Sequence, residues 1–229
     1  MKKLKYIDSD STQVKEIAEV LIENTKSTEE ILRNIFYYVR DEIEFGFLPE
    51  ADFVKASDII LRKKGQCNNK TILFKALCEA VGIEARIHYS SIDKQIHSGL
   101  YKGLVYMLLP GEISHSWVEV KIGDEWVKFD SFINDLKFYK KGRSILKSQG
   151  KKVGYSVSCS LGDTSADFSL DGNKFVQMGS VREDHGVYDD PDEYFSSKKY
   201  NNNPGKFKMF IYRRYLKRLN GRIEAIRNS

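Results

Sequence analysis

No run of apolar residues in this sequence approaches the length needed to span a bilayer. The opening stretch MKKLKYIDSDSTQVKE is basic but has no apolar segment behind it, so a secretory signal is not expected. Cysteine is scarce: three residues, an odd number, which argues against a disulfide framework and for a reduced compartment. The cytoplasm is the expected location. Those cysteines and the four histidines also lack the close spacing of a structural zinc site, and no calcium loop is present. No metal and no cofactor is expected. What remains is an ordinary globular composition, 41% hydrophobic and 30% charged over 229 residues, enough for one well-buried domain.

The most informative stretch is Lys63 to Tyr89, KKGQCNNKTILFKALCEAVGIEARIHY. Leu73, Leu77 and Val81, with Phe74 and Cys78 beside them, form a stripe at helical spacing. Gly82 follows the last periodic residue, where a left-handed cap is expected. Ile83, Ala85, Ile87 and Tyr89 then alternate with polar residues as a half-buried strand. This places Cys67 at a helix N-terminus, where unpaired N–H groups and the helix dipole favour a thiolate. Those N–H groups, with Gln66 beside them, could also hold an oxyanion. A buried, inert cysteine is the plainer reading; a nucleophile needs a base.

The base comes from ISHSWVEVKIGDEWVKFDSFIND, residues 113 to 135. Val118, Val120 and Ile122 alternate with His115, Trp117 and Glu119. Gly123-Asp124 reads as a two-residue type II′ turn. The register then pairs Ile122 with Glu125, Val120 with Val127, Val118 with Phe129, Trp117 with Asp130 and His115 with Phe132. Asp130 and His115 become diagonal neighbours on one face, within reach of each other's side chains. A carboxylate there orients the imidazole and stabilises its charged form.

Taken together, Gly65-Gln66-Cys67, His115-Ser116-Trp117-Val118-Glu119 and Trp126-Val127-Lys128-Phe129-Asp130 resemble the transglutaminase-like superfamily of cysteine enzymes, in its bacterial or archaeal type. The resemblance covers about Ile31 to Asp135. It implies an α+β fold with a papain-like core, the nucleophile at a helix N-terminus packed on an antiparallel sheet. It also implies Cys67 as nucleophile, His115 as base and Asp130 as orienter, with Gln66 and Trp117 as substrate or oxyanion candidates. The family commonly has an acidic residue two after the cysteine, where this chain has Asn69.

Around this centre, Thr12 to Glu23 reads as a helix and Ser27-Thr28-Glu29-Glu30 as a capping box opening another. Ser57 is expected to cap a short helix over Asp58 to Lys64. Phe45, Phe47 and Phe53 fall in an irregular stretch ahead of the nucleophile that could line a cleft. His97 reads as a solvated loop residue, and His88 as a residue on a strand's polar face. Gly103 to Leu109 reads as a strand. Val153 to Leu161 and Phe175 to Met178 are weaker strand signals. Glu183 to Glu193 reads as a solvated acidic loop, with His185 a weak candidate for the cleft rim. From Lys198 onward the chain has ten Lys or Arg and one Glu. Its apolar stripe, Tyr212 to Ile226, calls for a basic helix docked on its own domain. One domain over 1–229 is expected, with the core at about 27–135 and an extension over 136–229. The implied function is thiol-dependent acyl transfer on a peptide, protein or carboxamide substrate through the triad and a thioester intermediate, by hydrolysis as a peptidase or amidase. Amine transfer with cross-linking and a non-catalytic binding module are the alternatives. Nucleic acid and membrane are not expected partners.

Overall fold

A computed structural model describes residues 4–162, 164–202 and 205–229. In chain order it runs α1 (Thr12–Ile22), α2 (Thr28–Tyr37), a π-helical turn (Tyr38–Glu42), β1 (Glu44–Phe45), α3 (Ala56–Arg62), β2 (Lys64–Gly65), α4 (Cys67–Ala80), β3 (Ala85–Asp93), α5 (Gly103–Met107), β4 (Glu112–Ile122) and β5 (Glu125–Phe129). It continues with α6 (Leu136–Ser148), β6 (Val153–Gly154), β7 (Val157–Ser158), β8 (Val181–Tyr188), α7 (Pro191–Ser196) and α8 (Lys206–Arg227). The main sheet has the order β5-β4-β3-β8 with antiparallel neighbours throughout. The expected α+β architecture is the observed one.

The helices begin where local chemistry caps them. Ser11 Oγ accepts the Val14 N–H, and Ser27 Oγ accepts the Glu30 N–H at 3.2 Å. Glu30 reaches back to the Lys26 N–H at 2.5 Å, one residue before the cap. α4 is the axle of the fold. It contacts α1, α2 and α3 on one side and β3 and β4 on the other. Residues 67 to 78 are all buried, so this helix is wrapped rather than laid on a surface. Gly82 ends it with φ of 75°.

The hairpin has the expected turn, and Gly123 takes φ of 61° where a type II′ turn needs it. The pairs Ile122↔Glu125, Val120↔Val127 and Val118↔Phe129 all form. The ladder stops there, so the further pairs Trp117–Asp130 and His115–Phe132 do not. Val118 and Val120 join the core on the α4 face, and Ser116 Oγ lies 2.7 Å from Thr71 Oγ1 on α4. On the opposite face His88 stacks on Trp117 at 4.2 Å and bridges Glu119 and Asp184.

Several local expectations are corrected. Lys55, not Ser57, is the cap position of α3; the Ser57 N–H and hydroxyl both donate to Asp8. Gly103 to Met107 is a short helix with no buried residue, not a strand. Most of the stretch 183–193 is ordered structure, the end of β8 and the start of α7. Residues 175 to 178 are irregular and lead into a 3₁₀ turn, Met178–Ser180. α6 was not anticipated. α8 docks as its stripe demands: Leu216, Leu219 and Ile223 are in the core, and Arg227 pairs with Asp135 at 2.9 Å. The run Asn201 to Gly205 reads in the sequence as a break before this helix; Asn203 and Pro204 within it lie outside the described residues.

Candidate active site

Cys67 is the first residue of α4, held by β2 and by the cap position Gln66. Asn69 accounts for its own departure from the family pattern: Oδ1 accepts the Gln66 N–H at 3.2 Å, and Nδ2 donates to the Ala51 carbonyl at 3.0 Å. Ala51 has φ of 55°, a conformation that favours glycine, so this bond helps to hold a strained turn beside the site. The backbone N–H groups of Asn68, Ser116 and Cys67 itself lie near enough to the sulfur to favour its thiolate. These include the helix N-terminal donors anticipated from the sequence, with one more from the edge of β4.

The thiol is nevertheless protonated in this state. Burial, and then the charge of Asp52, push it up to about 12, outweighing the N–H groups. The expectation of a depressed thiol pKa is therefore not met here.

The sulfur opens on a cavity of about 190 Å³. Its walls are largely apolar, with Phe45, Phe47, Tyr101, Leu109 and Ile113 among them. Its polar groups are Asp52, Gln66, His97, Ser114, Gln177 and Asn202, with Asn201 and Lys208 further along the wall. Phe53, in contrast, packs on Tyr6, Phe195 and Tyr200 and is not a lining residue.

His115 is not a lining residue of the cavity: it alternates along β4 with Ser114, on the cavity wall, and Ser116, which faces α4, and its ring centroid lies 6.3 Å from that of Trp117 on the other face. It is fully buried, and among the described residues neither ring nitrogen has a hydrogen-bond partner. Burial, with a smaller contribution from His97, lowers it to about 3, so the ring is neutral. A neutral imidazole with a free nitrogen can accept a proton. Asp130 does not orient it in this state. Its Oδ1 accepts the Val176 N–H at 2.7 Å, and its Oδ2 accepts those of Gln177 and Met178 at 2.8 Å each. Burial raises Asp130 to about 6 against those three donors. Its observed contact is thus a clamp on the segment that brings Gln177 to the cavity.

Gln66 lines the cavity, but its side-chain NH₂ donates to Asp52. Trp117 is corrected more strongly. Its single N–H donates to Glu119 at 3.2 Å, its ring lies on the opposite face of the sheet, and it is not a lining residue. His97 is no solvated loop residue: its ring packs on Phe47 and Tyr101, and Nδ1 is buried without a partner among the described residues. His185 sits away from the rim, 3.0 Å from the Tyr194 hydroxyl. Asp52 is the residue the sequence concealed. It is fully buried and accepts hydrogen bonds from Gln66, Tyr200 and Asn202. The available signal is an acid set between two apolar residues, Asp52 between Ala51 and Phe53. Among the described residues no group of three or more His, Cys, Asp or Glu is placed to hold a metal ion, and no helix is long and apolar enough to cross a membrane.

A family model for the transglutaminase-like superfamily matches residues 15–131, just over half of the chain. No curated protein matches the sequence. Among solved structures, a candidate cysteine protease from Cytophaga hutchinsonii aligns with a TM-score of 0.49 at 16% identity, over 82% of this chain and 45% of that one. A candidate protease from Parabacteroides distasonis aligns with a TM-score of 0.40 at 11% identity, over 59% of this chain and 25% of that one. The chain thus spans less than half the length of either.

Proposed function

The chain belongs to the transglutaminase-like superfamily, and from that premise we propose that it is a thiol-dependent acyl-transfer enzyme acting on peptide or carboxamide groups, with hydrolysis as its outcome. The observation that carries this reading is the position of Cys67. It is the first residue of a buried helix, nearby backbone N–H groups favour its thiolate, and it lines a largely apolar cavity.

In the proposed reaction Cys67 Sγ attacks the substrate carbonyl while the neutral His115 takes the thiol proton. The S–C bond forms as the carbonyl oxygen gains charge, and the N–H groups of the α4 terminus and of Ser116 are suited to meet that charge. Collapse breaks the C–N bond, and His115 returns the proton to the leaving amine. Water then attacks the thioester and releases the acid. Burial holds the thiol high and the imidazole low and so opposes this transfer; substrate binding has to bring the two values together for His115 to act as base. Asp130 is assigned as orienter by the family motif. Its carboxylate accepts three backbone N–H groups, one on Oδ1 and two on Oδ2, so acting on His115 falls to the remaining acceptor site of Oδ1.

The test is incubation of the purified chain with a peptide library, with and without a primary amine, with products read by mass spectrometry. Hydrolysed products regardless of amine are expected. Amine-coupled products would replace hydrolysis by transglutamination. No product from either, under reducing conditions, would leave the fold as a binding module.

A further inference from the structure

The edge of β4 beside Cys67 is occupied. β5 leaves β4 after Val118↔Phe129, so the main chain of Ser114 has no strand partner on that side. Asn202, from the far end of the sequence, takes that place. Its Oδ1 accepts the Ser114 N–H at 2.8 Å. Its Nδ2 donates to the Ser114 carbonyl at 3.2 Å and to Asp52 Oδ2 at 3.0 Å. Two neighbours pin the same segment: the Asn201 N–H donates to Ser114 Oγ at 2.7 Å, and the Tyr200 hydroxyl donates to Asp52 Oδ2 at 2.6 Å. Cys67, Asp52, Ser114 and Asn202 all line one cavity.

A primary carboxamide offers one carbonyl acceptor and two N–H donors. All three functions of Asn202 are read here, by a main-chain donor, a main-chain acceptor and a buried carboxylate. A secondary peptide group has one N–H and cannot serve the Ser114 carbonyl and Asp52 together. The environment is therefore specific for the NH₂ form, and it lies in the cleft of a thiol that is itself buried and protonated.

We propose that Ser114 and Asp52 form a recognition site for a primary carboxamide, filled in this state by the chain's own Asn202. Residues Tyr200 to Asn202 are then an internal strap that an incoming carboxamide displaces. The effect of the strap on turnover rests on the reading of Cys67 as nucleophile; the site itself rests on the hydrogen bonds.

Two measurements test it. The first is the rate of alkylation of Cys67, by peptide mapping, in the native chain and in Asn202→Ala. Two reagents are compared, iodoacetamide, which carries a primary carboxamide, and its N,N-dimethyl analogue, which has no N–H. In each case an S–C bond forms, iodide leaves and the thiol proton goes to solvent. Vacating the site should raise the iodoacetamide rate by about ten-fold, the scale of one or two buried hydrogen bonds, and the dimethyl rate by less. Equal rates in native and variant chains overturn the strap, and equal gains with both reagents overturn the carboxamide specificity. The second measurement uses the native chain and no chemistry at Cys67. The Asn202 NH₂ protons, followed by NMR, should exchange slowly and be released by saturating propionamide. Exchange unaltered by propionamide also overturns the site. Release by propionamide combined with an inert Cys67 would strike the enzymatic reading alone.

Discussion

At the scale of single residues, buried ionisable groups around α4 set the character of the site. Asp130 receives three N–H groups at 2.7 to 2.8 Å from consecutive residues. An asparagine in its place offers one acceptor oxygen and turns an NH₂ toward those donors. Asp130→Asn should therefore lose about 1–3 kcal/mol of stability, the cost of leaving buried donors unpaired. Chemical denaturation measures it, and a smaller loss would mean that the 176–178 segment is held by something else. Turnover should fall as well, since that segment carries Gln177 to the cavity wall.

Lys70, one turn after the nucleophile, gives a pH signature. It is fully buried, donates to the carbonyls of Arg40 and Ile133, and burial lowers it to about 7. In the unfolded chain a lysine titrates near about 10.4. Between these values the unfolded state binds more protons at this group, so Lys70 adds a rise in stability from about pH 7 toward about 10.4, against the fall that the raised thiols of Cys67 and Cys78 add above about 8.5. Lys70→Met should remove that rise, although two carbonyls then lose a donor and the variant is less stable throughout. Melting temperatures of both chains across this range decide the point.

At the scale of elements, the far end of the sequence is built into the site's support. Asn220 on α8 exchanges two hydrogen bonds with the main chain of Phe47, and the Tyr212 hydroxyl donates to the Leu48 carbonyl. Arg227 reaches Asp135 and the Phe45 carbonyl. Phe45 and Phe47 are cavity walls, so α8 fixes the wall from behind. Arg227→Met leaves Asp135 as a buried charge without its cation, a change that costs about 3–5 kcal/mol. Urea denaturation should report a loss of that size; a change within about 0.5 kcal/mol would place the pair among surface contacts.

Elements also differed in how legible they were. α4 and the β4–β5 hairpin could be read because each has a full apolar period and a glycine at the position where the backbone needs one. β8 could not. Only His185 within it is buried, and its carboxylates face solvent and cation partners, Asp184 on His88 among them, so an edge strand reads as an acidic loop. α5 failed for the opposite reason: Leu104, Val105 and Met107 form a short apolar run that suits either element, and the structure leaves Leu104 and Met107 largely exposed. The nucleophile and base motifs are local in sequence. Asp52, His97, Gln177 and Asn202 reach the cavity from four separate segments, and only the packing of α8 and the 176–178 segment brings them there.

At the scale of the whole molecule, one continuous cluster of buried apolar residues runs from Tyr6 to Ile223 and includes Cys67. We propose that residues 1–229 fold as one unit, the extension after residue 135 being structural support for the core rather than an appendage. Heat or denaturant should then give a single transition with coincident probes. Two separable transitions, or a stable chain ending at residue 135, would divide it.

The central claim, that this fold presents Cys67 as an acylated nucleophile, is tested most directly by trapping the thioester. Turnover of a peptide found in the library is quenched in acid, and the covalent acyl group is mapped. The account predicts a hydroxylamine-sensitive acyl group on Cys67, no adduct and no turnover in Cys67→Ala, and loss of turnover in His115→Ala. Turnover at an undiminished rate in Cys67→Ala would contradict it.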